Sequence, residues 1–163
     1  MPEEFQELAM ENMKAKIEFI HRATAANKDV VFSQSEESKG TMRFFELAGP
    51  WVLAVARGAI LLVDELDASL HPHLVHELIK FIQDPKINTK GAQLIFTTHD
   101  TTLLNPELFR RDQIWFTEKD EFGGTNLYPM LDYKPRKDEA MQKGYLAGRY
   151  GATPMIEAFK LNG

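Results

Sequence analysis

The sequence predicts an α/β fold in a single domain, with a largely parallel sheet flanked by helices and a β-hairpin and helix at its C-terminal end. Three observations predict it. Four consecutive aliphatic residues, Ile60, Leu61, Leu62 and Val63, run into two adjacent acids, Asp64 and Glu65. A second apolar run, Leu94-Ile95-Phe96, ends in Thr97-Thr98-His99-Asp100. Residues 71–83, between them, have the spacing of an amphipathic helix. Strand, helix and strand in that order imply a right-handed crossover between parallel neighbours. Short apolar runs of this kind suit strands buried on both faces. The polar residues that follow each run then lie at the carboxyl edge of the sheet, where open α/β sheets bind ligands.

The elements follow in order. Residues 3–26 place Phe5, Leu8, Ala9, Met13, Ile17 and Ile20 at three- and four-residue steps, which predicts an amphipathic helix. Residues 29–32 read as a short strand and residues 33–40 as a polar turn. Residues 41–57 read as a helix with a kink or break at Gly49-Pro50, because proline removes a hydrogen bond inside a helix. Residues 60–63 are the first buried strand. In the helix over residues 71–83, Leu74, Leu78, Phe81 and Ile82 face inward, Pro72 suits the first turn, and Asp84-Pro85 ends it. Residues 93–97 are the second buried strand. Residues 112–118 and 125–130 flank Gly123-Gly124, a hairpin signature. Residues 137–150 predict a last helix, closed by Gly151.

Composition narrows the function classes. The 163 residues are 44% hydrophobic and 26% charged, as in a globular domain with a core of its own. The apolar runs are far shorter than the roughly 18 residues that span a bilayer. The acidic start, Met1-Pro2-Glu3-Glu4, lacks the apolar core of a secretion signal, so a cytoplasmic location is expected. There is no cysteine, which excludes disulfides, thiolate zinc sites and thiol catalysis. A net charge of −5 argues against a dedicated duplex-DNA surface. The local basic cluster Lys134, Arg136, Lys137, Lys143 and Arg149 is interrupted by Asp138 and Glu139 and reads better as a solvated face. His71, His73 and His76 beside Glu77 do not have the H-E-x-x-H spacing of a zinc protease. The many aromatic residues are spaced for core packing rather than for base stacking.

Three groups of residues could carry chemistry. Asp64 could hold Mg²⁺ through water, since Mg²⁺ sheds its hydration reluctantly. Glu65 could then deprotonate an attacking water. The alternative is a strand end followed by a solvated acidic turn. His99, at the end of the second strand, could reach a terminal phosphate and the same water, or it could simply cap a following helix. Ser38 and Gly40 precede a helix whose N–H groups and dipole would attract a phosphate, although Ser38 or Thr41 would equally serve as an ordinary N-cap. A P-loop, G-x-x-x-x-G-K-[ST], is not found in the chain.

The order of these pieces resembles the C-terminal half of an ABC-type ATPase head, in the branch shared by SMC-like and OLD-like proteins. Within that branch it looks most like the AAA-type ATP-binding proteins associated with phage abortive infection. Residues 38–100 carry the resemblance, and Lys143-Gly144-Tyr145-Leu146-Ala147-Gly148-Arg149-Tyr150-Gly151-Ala152-Thr153-Pro154 looks like the closing segment of such proteins. The resemblance implies a P-loop NTPase-like half-domain that binds ATP and Mg²⁺. It implies that Asp64 and Glu65 are the Walker B acids, that Asp67 belongs to the D-loop and that His99 is the switch histidine. Ser38 and Gly40 match two positions of the signature, with Lys39 and Thr41 standing where the usual motif has Gly and Gln. Hydrolysis then requires the P-loop of another segment or chain, so a homodimer or a P-loop-bearing partner is implied, in DNA repair or phage defence. The contrasting expectation is a non-catalytic module that self-associates or binds such a partner. The family arrangement also leaves the edge of residues 93–97 unpaired unless residues 112–118 or another chain cover it. Too few residues follow His99 for a Toprim-type nuclease domain.

Overall fold

The computed structural model of the protein describes residues 17–23, 28–134 and 140–153. It divides into two compact units, Met1–Gly49 and Pro50–Gly163.

In the first unit, β1 (Glu18–Ala23) pairs antiparallel with β2 (Lys28–Ser33). The strand expected over residues 29–32 is present and one residue longer at each end. The helix expected over residues 3–26 is overturned at residues 17–23, while its other parts lie outside the described residues. The reason is tertiary. Phe19 stands opposite Phe32 and Ile20 opposite Val31, and such aromatic and β-branched cross-strand pairs stabilise a hairpin more than a marginal helical stripe would. The Phe19 ring also meets the edge of Phe45, with centroids 5.5 Å apart.

Helix α1 (Lys39–Arg57) continues through Pro50, so of the kink or break expected there the break is not found. Beyond the proline, Trp51, Ala54 and Val55 are buried, and the Trp51 indole N–H donates to the Leu78 carbonyl at 3.2 Å. That packing holds the turn that lacks proline's hydrogen bond. The helix ends in a Schellman arrangement at Gly58, whose φ is +67°. The Ala59 N–H donates to Ala54 O at 2.9 Å and the Gly58 N–H to Val55 O at 3.4 Å.

In the second unit, β3 (Ile60–Val63) lies parallel to β4 (Gln93–Phe96), with Ile60 opposite Gln93 and Val63 opposite Phe96. Helix α2 (Pro72–Gln83) connects them, with Pro72 at its start as expected. Its buried face is Val75, Leu78, Ile79 and Ile82. The expected Leu74 is only half-buried and Phe81 is exposed. Both sets follow the i, i+3, i+4 rule, so periodicity alone cannot choose between stripes about one residue apart. The Asn88 side chain then secures the turn into β4, donating to the Ile82 and Ala92 carbonyls and accepting from the Ala92 N–H.

The largely parallel sheet is not found. The described strands form three two-stranded sheets, and only β3–β4 is parallel. Nor are β3 and β4 buried on both faces. Val55 of α1 and Ile82 of α2 join Ala92 in a buried cluster against which Leu94 packs. On the alternate positions, Ile60, Leu62 and Ile95 are 62%, 72% and 56% exposed. Side chains alternate across a strand, and helices α1 and α2 supply apolar cover to one side only.

The hairpin is present as β5 (Trp115–Lys119) and β6 (Thr125–Pro129), antiparallel. It starts later than residue 112 because Arg111–Gln113 form a 3₁₀ turn. Among the described residues β5 pairs only with β6, so residues 112–118 add no strand to the edge of β4. A cleft of about 330 Å³ opens along β4, lined by Ile79, Ile82, Leu94, Phe96, Phe109 and Gln113 among others. The last helix, α3 (Met141–Leu146), is much shorter than expected, and residues 137–139 lie outside the described residues. The chain then turns back through Gly148 and Gly151, both with positive φ, to bury Tyr150 with Ile114, Phe116, Met130 and Met141.

Candidate functional site

The carboxyl ends of β3 and β4 bring four of the six candidate residues together. The ladder register places Val63 opposite Phe96, so the two chains leave the sheet side by side. Thr97, the next residue of one chain, grips the next three of the other. Its hydroxyl donates to Asp64 Oδ1 at 2.5 Å and accepts the Glu65 N–H at 2.8 Å. Its carbonyl accepts the Leu66 N–H at 3.0 Å, and its own N–H donates to Val63 O at 3.1 Å.

Glu65 sits in the left-handed region, with φ of 48°. A side chain there costs roughly 1–2 kcal/mol, so surrounding bonds must hold it. Its carboxylate Oε1 stands 3.9 Å from His99 Nε2. Both side chains are open to solvent, Glu65 by 60% and His99 by 87%. Asp67 lies one turn further on. Its Oδ1 accepts the Thr98 hydroxyl at 2.6 Å and the His99 N–H at 3.3 Å. The 65–70 loop is closed by the bonds Ala68 N–H to Glu65 O and Leu70 N–H to Asp67 O. Beneath it Leu66 is fully buried, so the acids are carried on an anchored turn.

Asp100 caps the 3₁₀ turn Thr101–Leu103, accepting the Thr102 N–H at 2.8 Å. The capping role considered for His99 therefore falls to the next residue. That leaves the imidazole projecting toward Glu65 while its backbone N–H binds Asp67.

Ser38 and Gly40 belong to the first unit. The Thr41 N–H donates to Ser38 Oγ at 3.0 Å, and the Ser38 and Thr41 hydroxyls are 2.9 Å apart. Ser38 is thus the N-cap of α1, the ordinary role considered for it. Glu37 precedes it with its side chain almost fully buried and paired with His21 Nε2. The bond to His21 holds the Glu37 carboxyl below the usual carboxylate value.

His71 and His73 are engaged at the start of α2. His71 caps the helix, its Nδ1 accepting the His73 N–H at 3.3 Å, and its ring stacks on that of His73. Among the described residues no group of three or more His, Asp or Glu side chains could hold a metal by itself. A single carboxylate beside a hydroxyl, as at Asp64 and Thr97, does fit Mg²⁺, which takes one or two carboxylates and completes its shell with water and phosphate. None of Asp64, Glu65, Asp67 and His99 lines the cleft along β4.

Thr97 and Thr98, whose hydroxyls bind the candidate acids, are positions that reading by motif missed. The available signal was two hydroxyls directly after an apolar run, where polar side chains can reach the neighbouring strand end.

Among the described residues, no helix is long and apolar enough to cross a membrane. No curated protein matches the chain. A family described as "AAA domain, putative AbiEii toxin, Type IV TA system" matches residues 5–105. The match covers more than half of the chain and includes every candidate residue, and the described helices and small sheets fit a P-loop NTPase-like fold. The chain belongs to this family of AAA-type, ATPase-like domains associated with abortive infection.

Proposed function

We propose that the chain is the Walker B, signature and switch-histidine lobe of an ABC-type ATPase head of the SMC-like and OLD-like kind, acting from the cytoplasm in phage defence or DNA repair. The observation that carries this reading is the approach of Glu65 Oε1 to His99 Nε2, 3.9 Å apart, beside Asp64 at the ends of adjacent parallel strands. ATP is the proposed substrate. Asp64 is the carboxylate that would hold Mg²⁺, which when bound neutralises charge on the triphosphate. Glu65 Oε1 is the atom that takes a proton from water, and His99 Nε2 donates to the terminal phosphate. Asp67 is assigned to the D-loop. Ser38 and Gly40 are assigned to a phosphate contact made through the positive end of α1.

The exposure of Glu65 and His99 supports a half-site. Hydrolysis needs a pocket from which bulk water is excluded, and another surface must supply it. A P-loop-bearing segment or partner, or a second head in a homodimer, fills that role in this reading. A second reading has its own support. The exposed Ile60, Leu62 and Ile95 face is what a non-catalytic module that self-associates or binds a P-loop partner would present.

Binding of a fluorescent ATP analogue, followed with and without Mg²⁺ and with and without a P-loop-bearing partner, tests the proposal. Mg²⁺-dependent binding that Asp64→Ala weakens at least tenfold supports it. Glu65→Gln should retain binding and lose hydrolysis by about 10²-fold or more, the usual contribution of a general base. Absence of nucleotide binding under every condition refutes it and leaves the interaction module.

A further inference from the structure

We infer that Thr97 is a positioning residue for the acidic pair, a single hydroxyl that sets both Asp64 and Glu65; the inference rests on the reading of these acids as the hydrolytic pair. β3 ends at Val63, where its ladder with β4 also ends, at the Val63–Phe96 pair. Thr97 replaces the ladder with four bonds to four consecutive residues. Its N–H reaches Val63, its carbonyl Leu66, and its hydroxyl both Asp64 and Glu65.

The two hydroxyl bonds are coupled. A threonine hydroxyl has one hydrogen and two lone pairs. Directing the hydrogen at Asp64 Oδ1 turns a lone pair toward the Glu65 N–H, so each bond selects the geometry of the other. The branched Cβ restricts rotation of the side chain.

The bond to the Glu65 amide matters because of that residue's φ of 48°. A residue with a Cβ keeps a left-handed conformation only where its surroundings over-determine it. With the amide released, Glu65 relaxes toward an ordinary φ, and its carboxylate swings away from His99. The loss then falls on proton transfer through Glu65, and release of Asp64 Oδ1 also weakens Mg²⁺-dependent nucleotide binding. Thr98 is a built-in control. Its hydroxyl serves Asp67, and the structure gives it no bond to Asp64 or Glu65.

The test uses the full chain as wild type, Thr97→Val, Thr97→Ser and Thr98→Val. Amide exchange followed by NMR is the readout that does not depend on activity. In Thr97→Val the Glu65 N–H should exchange at least tenfold faster while the residue-97 and Leu66 amides stay within twofold of wild type. Thr97→Ser should restore protection, and Thr98→Val should leave Glu65 protected. Should Thr97→Val fail to fold, Thr97→Ala makes the same comparison. With a P-loop-bearing partner present, Thr97→Val should lower kcat/KM for ATP at least tenfold, and Thr97→Ser should recover it. Unchanged Glu65 protection in Thr97→Val, or a serine variant as impaired as the valine, overturns the inference. A wild-type protein that never hydrolyses ATP removes the functional reading, and the exchange data still decide the clamp.

Discussion

Replacing Gly58 with alanine tests how the site's first strand is delivered. Gly58 joins α1 to β3, and its φ of +67° costs a residue with a Cβ about 1–2 kcal/mol. A steric cost adds to this. A Cβ at Gly58 would stand 2.4 Å from the Lys90 carbonyl oxygen and 3.0 Å from Lys90 Cβ. The nearer atom is backbone and cannot rotate away. Lys90 is further held by its ammonium donating to Ala56 O at 2.6 Å. Relieving the contact requires the α1–β3 joint to part from the turn before β4, an overpacking cost of about 1–3 kcal/mol. Together Gly58→Ala should destabilise the protein by about 2–5 kcal/mol, a large share of a typical domain's stability.

Gly91→Ala separates the two contributions. Gly91 also has a left-handed φ, +71°, but nothing lies within 4 Å of its added Cβ. It should lose only the conformational part, about 1–2 kcal/mol. Urea unfolding followed by tryptophan fluorescence suits the measurement, because Trp51 is buried in the same unit. Equal losses for the two variants would show that Lys90 does not press on Gly58, and the steric argument would fail.

Two further predictions follow from packing and charge. Gly144→Ala would place a Cβ 2.5 Å from the hydroxyl of Tyr150, which is fully buried, so the ring must leave the Phe116 stack. Near-UV circular dichroism should lose aromatic signal, and an unaltered spectrum would count against the contact. His21→Ala should raise the titration midpoint of Glu37, whose carboxyl the His21 bond holds below its ordinary value of 4.5. A depressed folded-state value means that the pair's stabilisation is present above pH 4.5 and is lost as pH falls through that lower midpoint. Carbon-13 NMR of the Glu37 carboxyl measures this, and a midpoint that does not move refutes the pairing.

Much of the second unit was legible in its residues. β3 could be read residue for residue, since four aliphatic side chains bounded by Gly58-Ala59 and Asp64-Glu65 leave little freedom in where a strand starts and stops. Pro72 announced the start of α2, and Gly123-Gly124 the turn of the hairpin. Residues 18–23 were not legible. Phe19 and Ile20 suit a helix face and a strand equally well, and the decision came from Val31 and Phe32 across the hairpin. The stripe of α2 that faces inward was hidden for a related reason, because Leu74 and Phe81 are as apolar as Val75 and Ile79.

The local sequence determined the ingredients of the site: two acids after one apolar run, and two hydroxyls and an imidazole after another. Their chemistry belongs to the side chains and is the same wherever the chain places them. Register and exposure were decided only by the tertiary structure. Pairing Val63 with Phe96 put the Thr97 hydroxyl between Asp64 and the Glu65 amide and brought His99 within 3.9 Å of Glu65. The same pairing left Ile60, Leu62 and Ile95 facing solvent. An apolar run records that a strand can be buried, whereas what covers each face depends on residues far away in the chain.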